Sequence, residues 1–255
     1  MEKKYDNIKI IISNSIGFLK FNRPDQLNAM NRKMMEEIID GISEINKNEE
    51  VKVAVIIGEG RAFMVGADIK EYGSQSPEEF KSFQNRGFQL YESIENSSKP
   101  WLAAVNGFAL GGGFEIALSC DMILAAESAL LGFPEVFLGL IPGGGGTQRL
   151  IQKLGINRVK EMLFLGGQYS ANSLLDWGIV NRVFEDSKFQ SEVSEFAEKL
   201  SRRSKKSIAQ LKRLINLSVT EIPFLERLRD EGKTVYNLFY DDEAQLAIKK
   251  FINKN

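Results

Sequence analysis

The stretch from Trp101 to Arg149, WLAAVNGFALGGGFEIALSCDMILAAESALLGFPEVFLGLIPGGGGTQR, sets the tightest limits on what this chain can form. Two glutamates, Glu115 and Glu135, stand in an otherwise apolar and glycine-rich run. Gly111-Gly112-Gly113 precedes the first and Pro134 the second, so the local backbone is constrained at both. A carboxyl in apolar surroundings costs free energy unless it is partnered or neutral. Two of them in one segment fit an acid/base pair acting on one substrate. Trp101 to Val105 reads as a buried strand between Pro100 and the turn Asn106-Gly107, and helical spacing resumes at Phe114. A strand, a glycine turn and a helix start present free N–H groups at the positive end of a helix dipole. Such a turn suits a phosphate or a developing oxyanion. The same residues also fit a plainer reading, in which the glycines only permit the turn and Glu115 complements the dipole.

The chain contains no histidine, which removes Ser-His-Asp and Cys-His catalysis. With one cysteine, Cys120, ordinary zinc and haem ligation go too, and no metal is expected. Cys120 cannot close an internal disulfide and reads as a small core residue. Any general base is therefore Asp, Glu, Lys or Tyr, which puts the weight on Glu115 and Glu135. A net charge of −1 favours no nucleic acid as partner. No run approaches the roughly 18 apolar residues of a membrane span, and Met1 to Asp6 lacks a secretory leader's apolar run. No membrane association and a cytoplasmic location are the expectation. Gly139-x4-Gly144 is followed by Gly145 where a phosphate-binding loop needs Lys, so nucleotide binding of that type is weakly supported.

The remaining chain reads as α/β. Ile8 to Ile12 and Ile16 to Phe21 form a hairpin around Ser13-Asn14-Ser15. Asn31 caps a helix to about Asn46, with Met34, Met35, Ile38, Ile39, Ile42 and Ile45 as its core stripe. Val51 to Ile57 is a strand covered on both faces, so strand-helix-strand order predicts parallel pairing. Gly66 permits a sharp turn beside a ligand, and spacing alone makes Asp68 a helix cap. Pro77 opens a helix whose Phe80, Phe83, Phe88 and Tyr91 line a pocket or fill the core. A helix is predicted over 153–166, another from Ser170 to Gly178, and a strand over 179–184. From about Lys188 the periodicity is helical throughout, and Arg202-Arg203 and Lys205-Lys206 read as a solvated face. Phe224, Leu225, Leu228, Val235, Leu238, Phe239 and Tyr240 are more apolar surface than a small appendage hides alone, which points to packing on another subunit.

Ala67-Asp68-Ile69-Lys70, the run Asn106-Gly107…Gly111-Gly112-Gly113-Phe114-Glu115, Pro134-Glu135 and Arg23-Pro24…Leu27-Asn28-Ala29 together resemble the enoyl-CoA hydratase/isomerase (crotonase) superfamily over nearly the whole chain. The resemblance implies a spiral of ββα repeats over residues 1–190 and a helical oligomerisation region over 191–255. It implies a homotrimer or dimer of trimers acting on an acyl-CoA thioester, with no separate cofactor. The amides of Ala67 and Gly112 would hold the thioester oxygen; one such donor contributes about 3 kcal/mol in comparable enzymes. Glu115 would activate water for attack at C3, and Glu135 would protonate C2. Leu27, Ala29, Val65, Ala67, Asp68, Ile69, Lys70, Gly111, Gly112, Phe133, Pro134 and Gly143 would contact CoA or the acyl chain. The Phe80/Phe83/Phe88 helix and Phe133 would border that chain. Hydration of trans-2-enoyl-CoA is the implied reaction. A Δ3-Δ2-enoyl-CoA isomerase is the alternative within the fold. A noncatalytic CoA-thioester- or RNA-binding relative is the alternative outside enzymology, disfavoured by the two glutamates and neutral charge.

Overall fold

The computed structural model describes residues 5–253. Ile8–Ser13 (β1) and Ile16–Phe21 (β2) pair antiparallel across Asn14-Ser15. Both turn residues have positive φ, 50° and 63°, the backbone twist that a two-residue hairpin needs. The chain then enters α1 (Arg32–Lys47), where the Asn31 side chain accepts from the Met34 N–H as the sequence predicts. Met34, Met35, Ile38, Ile42 and Ile45 are buried along its inner face.

Two sheets follow from one alternation. Val53–Gly58 (β3), Trp101–Val105 (β5) and Met122–Ala126 (β7) add in parallel to the large sheet, while Ala62–Met64 (β4), Phe108–Leu110 (β6) and Leu130–Gly132 (β8) build a smaller parallel one. Gln168–Ser170 (β9) joins the small sheet antiparallel, and Arg182–Phe184 (β10) joins the large one beside β7. The final orders are β1-β2-β3-β5-β7-β10 and β4-β6-β8-β9. Each pair of strands is followed by helix, so the chain climbs as a spiral of ββα units. The β3-β4 unit leads into α2 (Ile69–Tyr72) and α3 (Pro77–Glu95), and the β5-β6 unit into α4 (Gly112–Ser119). The β7-β8 unit leads into a 3₁₀ turn, Pro134–Leu138, and then α5 (Gly146–Lys153). β3 and β5 are buried along their whole length, which is why both read as continuous apolar runs.

Two expected elements differ. The helix expected over 153–166 is two helices, α5 and α6 (Ile156–Leu165), because the chain is extended at Leu154 and Gly155. The strand expected over 179–184 is β10 alone. The amides of Ile179 and Val180 donate to the Leu174 carbonyl at the end of α7 (Ala171–Asp176), so they are spent before the sheet begins.

Helices α8 (Phe189–Ser201), α9 (Lys205–Asn216), α10 (Phe224–Phe239) and α11 (Asp242–Ile252) complete the chain. α8 lies against β2, β3 and β7, with Phe189, Val193 and Ala197 in the main core. α9 is tied down by Lys212, whose buried Nζ donates to the carbonyls of Ile94 and Lys99 and to Asp121. No described helix is long and apolar enough to cross a membrane.

Candidate active site

Two glycine turns face each other at the ends of β4 and β6. Gly66 (φ 95°) and Gly111 (φ 52°) are left-handed, a conformation in which a side chain is strained. The Met30 N–H donates to the Gly66 carbonyl at 2.8 Å and the Asp68 N–H to the Met30 carbonyl at 2.9 Å, pinning the chain on both sides of Ala67. Among the described residues the N–H of Ala67 has no acceptor. Gly112 opens α4, so its N–H lacks an intrahelical partner as well. A methyl group on Gly66 would lie 3.6 Å from the Gly112 nitrogen, which shows how near the two turns come. Gly113 makes this approach possible: a Cβ there would sit 2.1 Å from the Met64 carbonyl oxygen.

Glu115 rises from the first turn of α4 and is 3% exposed. Its Oε1 accepts from the amides of Gly144 at 2.7 Å and Gly146 at 2.8 Å, and its Oε2 lies 3.5 Å from the Tyr91 hydroxyl. Burial pushes its carboxyl above the ordinary range, opposed by the two amides, by the Arg149 charge and by Tyr91. The turn supplying those amides is itself held. The Arg149 guanidinium grips Glu95 at 2.6 and 2.8 Å, donates to the Gly144 carbonyl, and lies 5.2 Å from the Tyr91 ring centre. A side chain at Gly144 would strike the Tyr91 ring at 2.3 Å.

Glu135 comes from the 3₁₀ turn and meets a different environment. Its Oε2 is buried and has no hydrogen-bond partner. Loss of solvation, with a further contribution from the Glu115 charge, raises its carboxyl to about 7 against the opposing pull of a backbone N–H. Glu115, Glu135, Ala67 and Gly112 all line one cavity of about 340 Å³. One carboxyl is thus held by two amides through a single oxygen and the other keeps a buried oxygen without a donor, an arrangement that can separate a base from an acid.

The sequence profile described as enoyl-CoA hydratase/isomerase matches residues 11–255. The chain belongs to the enoyl-CoA hydratase/isomerase family. It is 34% identical over 250 residues to the short-chain-enoyl-CoA hydratase of Clostridium acetobutylicum, covering 98% of this chain and 95% of that one. It is 38% identical over 197 residues to the crotonyl-CoA hydratase of Syntrophomonas wolfei, covering 77% and 76% of the two chains. The crystal structure of enoyl-CoA hydratase subunit I from Geobacillus kaustophilus superposes with a TM-score of 0.93 at 36% identity, covering 99% of this chain and 97% of that one. The spiral implied by the sequence is therefore this family's fold.

Of the binding residues that the family resemblance implied, Val65, Ala67, Ile69, Gly111, Gly112, Pro134 and Gly143 line the cavity together with both glutamates. Leu27, Ala29, Asp68, Lys70 and Phe133 do not. Leu27 ends a 3₁₀ turn in the left-handed region, and the Ala29 carbonyl accepts from Arg23. Asp68 stands at the N-cap of α2 but makes no capping hydrogen bond; its carboxylate pairs instead with Arg23 at 3.1 Å, which corrects the capping reading. Lys70 is exposed on α2. Phe133 is 1% exposed and stacks on Phe114 at 4.9 Å, behind the residues that line the cavity. Within α3, Phe83 and Tyr91 reach the cavity, Phe80 packs edge-on against Tyr72, and Phe88 is exposed. Sequence reasoning missed the amides of Gly144 and Gly146, the Arg149 brace and the apolar lip of Phe137, Leu138, Leu140 and Ile141. The glycine run before Arg149 signalled a turn, but nothing local said which carboxylate it would hold.

Proposed function

We propose that the protein hydrates trans-2-enoyl-CoA thioesters to 3-hydroxyacyl-CoA, reversibly. The observation that carries this reading is the presence of two unequal carboxyls and two glycine turns with free amides around one cavity. The thioester oxygen sits between the N–H groups of Ala67 and Gly112, which stabilise the enolate charge that forms when water adds across the conjugated bond. Glu115, its Oε1 fixed by two amides, removes a proton from the water attacking C3. Glu135, whose bare carboxyl stays protonated nearer neutrality, delivers a proton to C2. Dehydration runs the same steps backward. The relatives named for short-chain and crotonyl substrates support this choice of reaction. The exposed apolar faces of α10 and α11, including Phe224, Leu225, Val235, Tyr236 and Phe251, support assembly as a trimer or a dimer of trimers.

The test is the conjugated-enone absorbance of crotonyl-CoA and longer enoyl-CoA thioesters. Wild type removes it. Glu115→Gln and Glu135→Gln each slow the reaction about a hundred- to ten-thousandfold. Full activity in either variant removes that residue from the mechanism, and a wild type inert toward every enoyl thioester removes the hydratase reading.

A further inference from the structure

Gly87 lies in the interior of α3, a 19-residue helix, where glycine weakens a helix relative to alanine. Neither strain nor crowding accounts for it. Its φ is not in the left-handed region, and a Cβ built there would meet Tyr91 Cε2 at 3.8 Å and Met35 Cε at 4.0 Å, ordinary contacts. Its neighbours at helical spacing, Phe83, Gln84 and Tyr91, all line the active-site cavity, and so does Gly87 itself. The exposure of the lining residues runs from 73% at Phe137 and 76% at Ile141 down to 1% at Met35 and 4% at Tyr91. Met35, Gly87 and Tyr91 thus meet in the buried part of the cavity lining, which Met30 and Glu115, each 3% exposed, share. Tyr91 also stands 3.5 Å from Glu115, so this corner adjoins the carboxyl to which water activation is assigned above.

We propose that Gly87 sets the acyl length the site accepts: by carrying no side chain it leaves an apolar notch between Met35 and Tyr91 for the distal carbons of a medium-chain enoyl thioester. The inference rests on the enoyl-CoA hydratase reading for the identity of the ligand. Each methylene buried in such a notch strengthens binding about fourfold. A side chain at position 87 displaces those carbons without touching the carboxyls or the Ala67 and Gly112 amides.

Two measurements test this on the intact protein: kcat/KM for trans-2-enoyl-CoA of four, six and eight carbons, and calorimetric binding of butyryl- and octanoyl-CoA. In Gly87→Leu the eight-to-four-carbon ratio of kcat/KM falls by about tenfold or more. In Gly87→Ala it falls by less, with a melting temperature equal to or above wild type. An unchanged ratio in both variants overturns the proposal. So does a wild type that hydrates crotonyl-CoA yet binds octanoyl-CoA no more tightly than butyryl-CoA. If no enoyl thioester is hydrated, the reaction assignment fails separately, and the notch is judged by whether Gly87→Leu abolishes the binding preference for octanoyl- over butyryl-CoA.

Discussion

Glu115 and Glu135 are the same residue type in one cavity, and their surroundings give them different work. Burial raises both carboxyls, but at Glu115 two amide donors and a nearby guanidinium oppose it in favour of the ionised form, whereas Glu135 has a buried oxygen with no donor and is raised to about 7. In the proposed reaction no proton is released overall, so hydration and dehydration need the same total charge on the pair: one proton shared between two carboxyls. It follows that kcat/KM in both directions falls as pH rises through about 7, when that proton is lost. It also falls on the acid side, once Glu115 is protonated as well. Parallel pH–rate profiles for crotonyl-CoA and 3-hydroxybutyryl-CoA check this. In Glu135→Gln the alkaline limb near 7 disappears from the residual activity; its persistence would assign that limb elsewhere.

Turns do more than helices to build this site. α4 can start against β4 only because Gly113 has no side chain to meet the Met64 carbonyl, at 2.1 Å from a would-be Cβ. Gly113→Ala forces backbone against backbone, where no rotamer change gives relief. Overpacking of this kind costs about 1–3 kcal/mol, and separating α4 from the Gly66-Ala67 turn pulls apart the Ala67 and Gly112 amides, the proposed oxyanion donors. The expected result is lower stability in urea unfolding together with a loss of kcat larger than any change in KM. Equal stability and kcat would show that the turns need not meet. The elements themselves were largely legible: the Asn31 cap, the α1 stripe, the hairpin at Asn14-Ser15 and the Trp101–Val105 strand all stand where periodicity and turn chemistry put them. Short strands such as β4, β6 and β8, three residues each, carry too few residues to show a period.

Across the whole molecule, α9 is joined to the ββα spiral by an ion pair whose lysine is buried and whose carboxylate is partly open to solvent. Lys212 Nζ meets Asp121 at 2.8 Å and two main-chain carbonyls, while Asp121 also accepts from the Trp101 N–H at 2.7 Å. Lys212→Ala leaves the partly exposed Asp121 carboxylate without its cation and destabilises by about 1–3 kcal/mol. Adding Asp121→Asn recovers part of the loss, because the unpaired charge goes with it; chemical denaturation of the single and double variants reads both effects. Beyond α9 the balance changes. Phe224 is 67% exposed, Leu225 63%, Val235 59% and Phe251 71%, an apolar surface that the described residues leave uncovered. Sedimentation equilibrium at micromolar concentration is expected to give a trimer or hexamer, and a well-behaved monomer would rule out the oligomeric role of α10 and α11.

By itself the sequence determined the chemistry open to this protein: no histidine, two acids in apolar glycine-rich surroundings, and α/β periodicity with turns at fixed places. Those properties are local, and a residue's own neighbours encode them. The tertiary structure alone decided which groups complete the site. The donors to Glu115 lie 29 and 31 residues later in the chain and Tyr91 lies 24 earlier, separations over which periodicity says nothing. The difference between a clamped Glu115 and a bare Glu135, the displacement of Phe133 behind the site and the notch at Gly87 all depend on how distant segments meet. That meeting is fixed by the packing of the spiral, where close contacts at Gly113 and Gly144 leave one arrangement of the turns open.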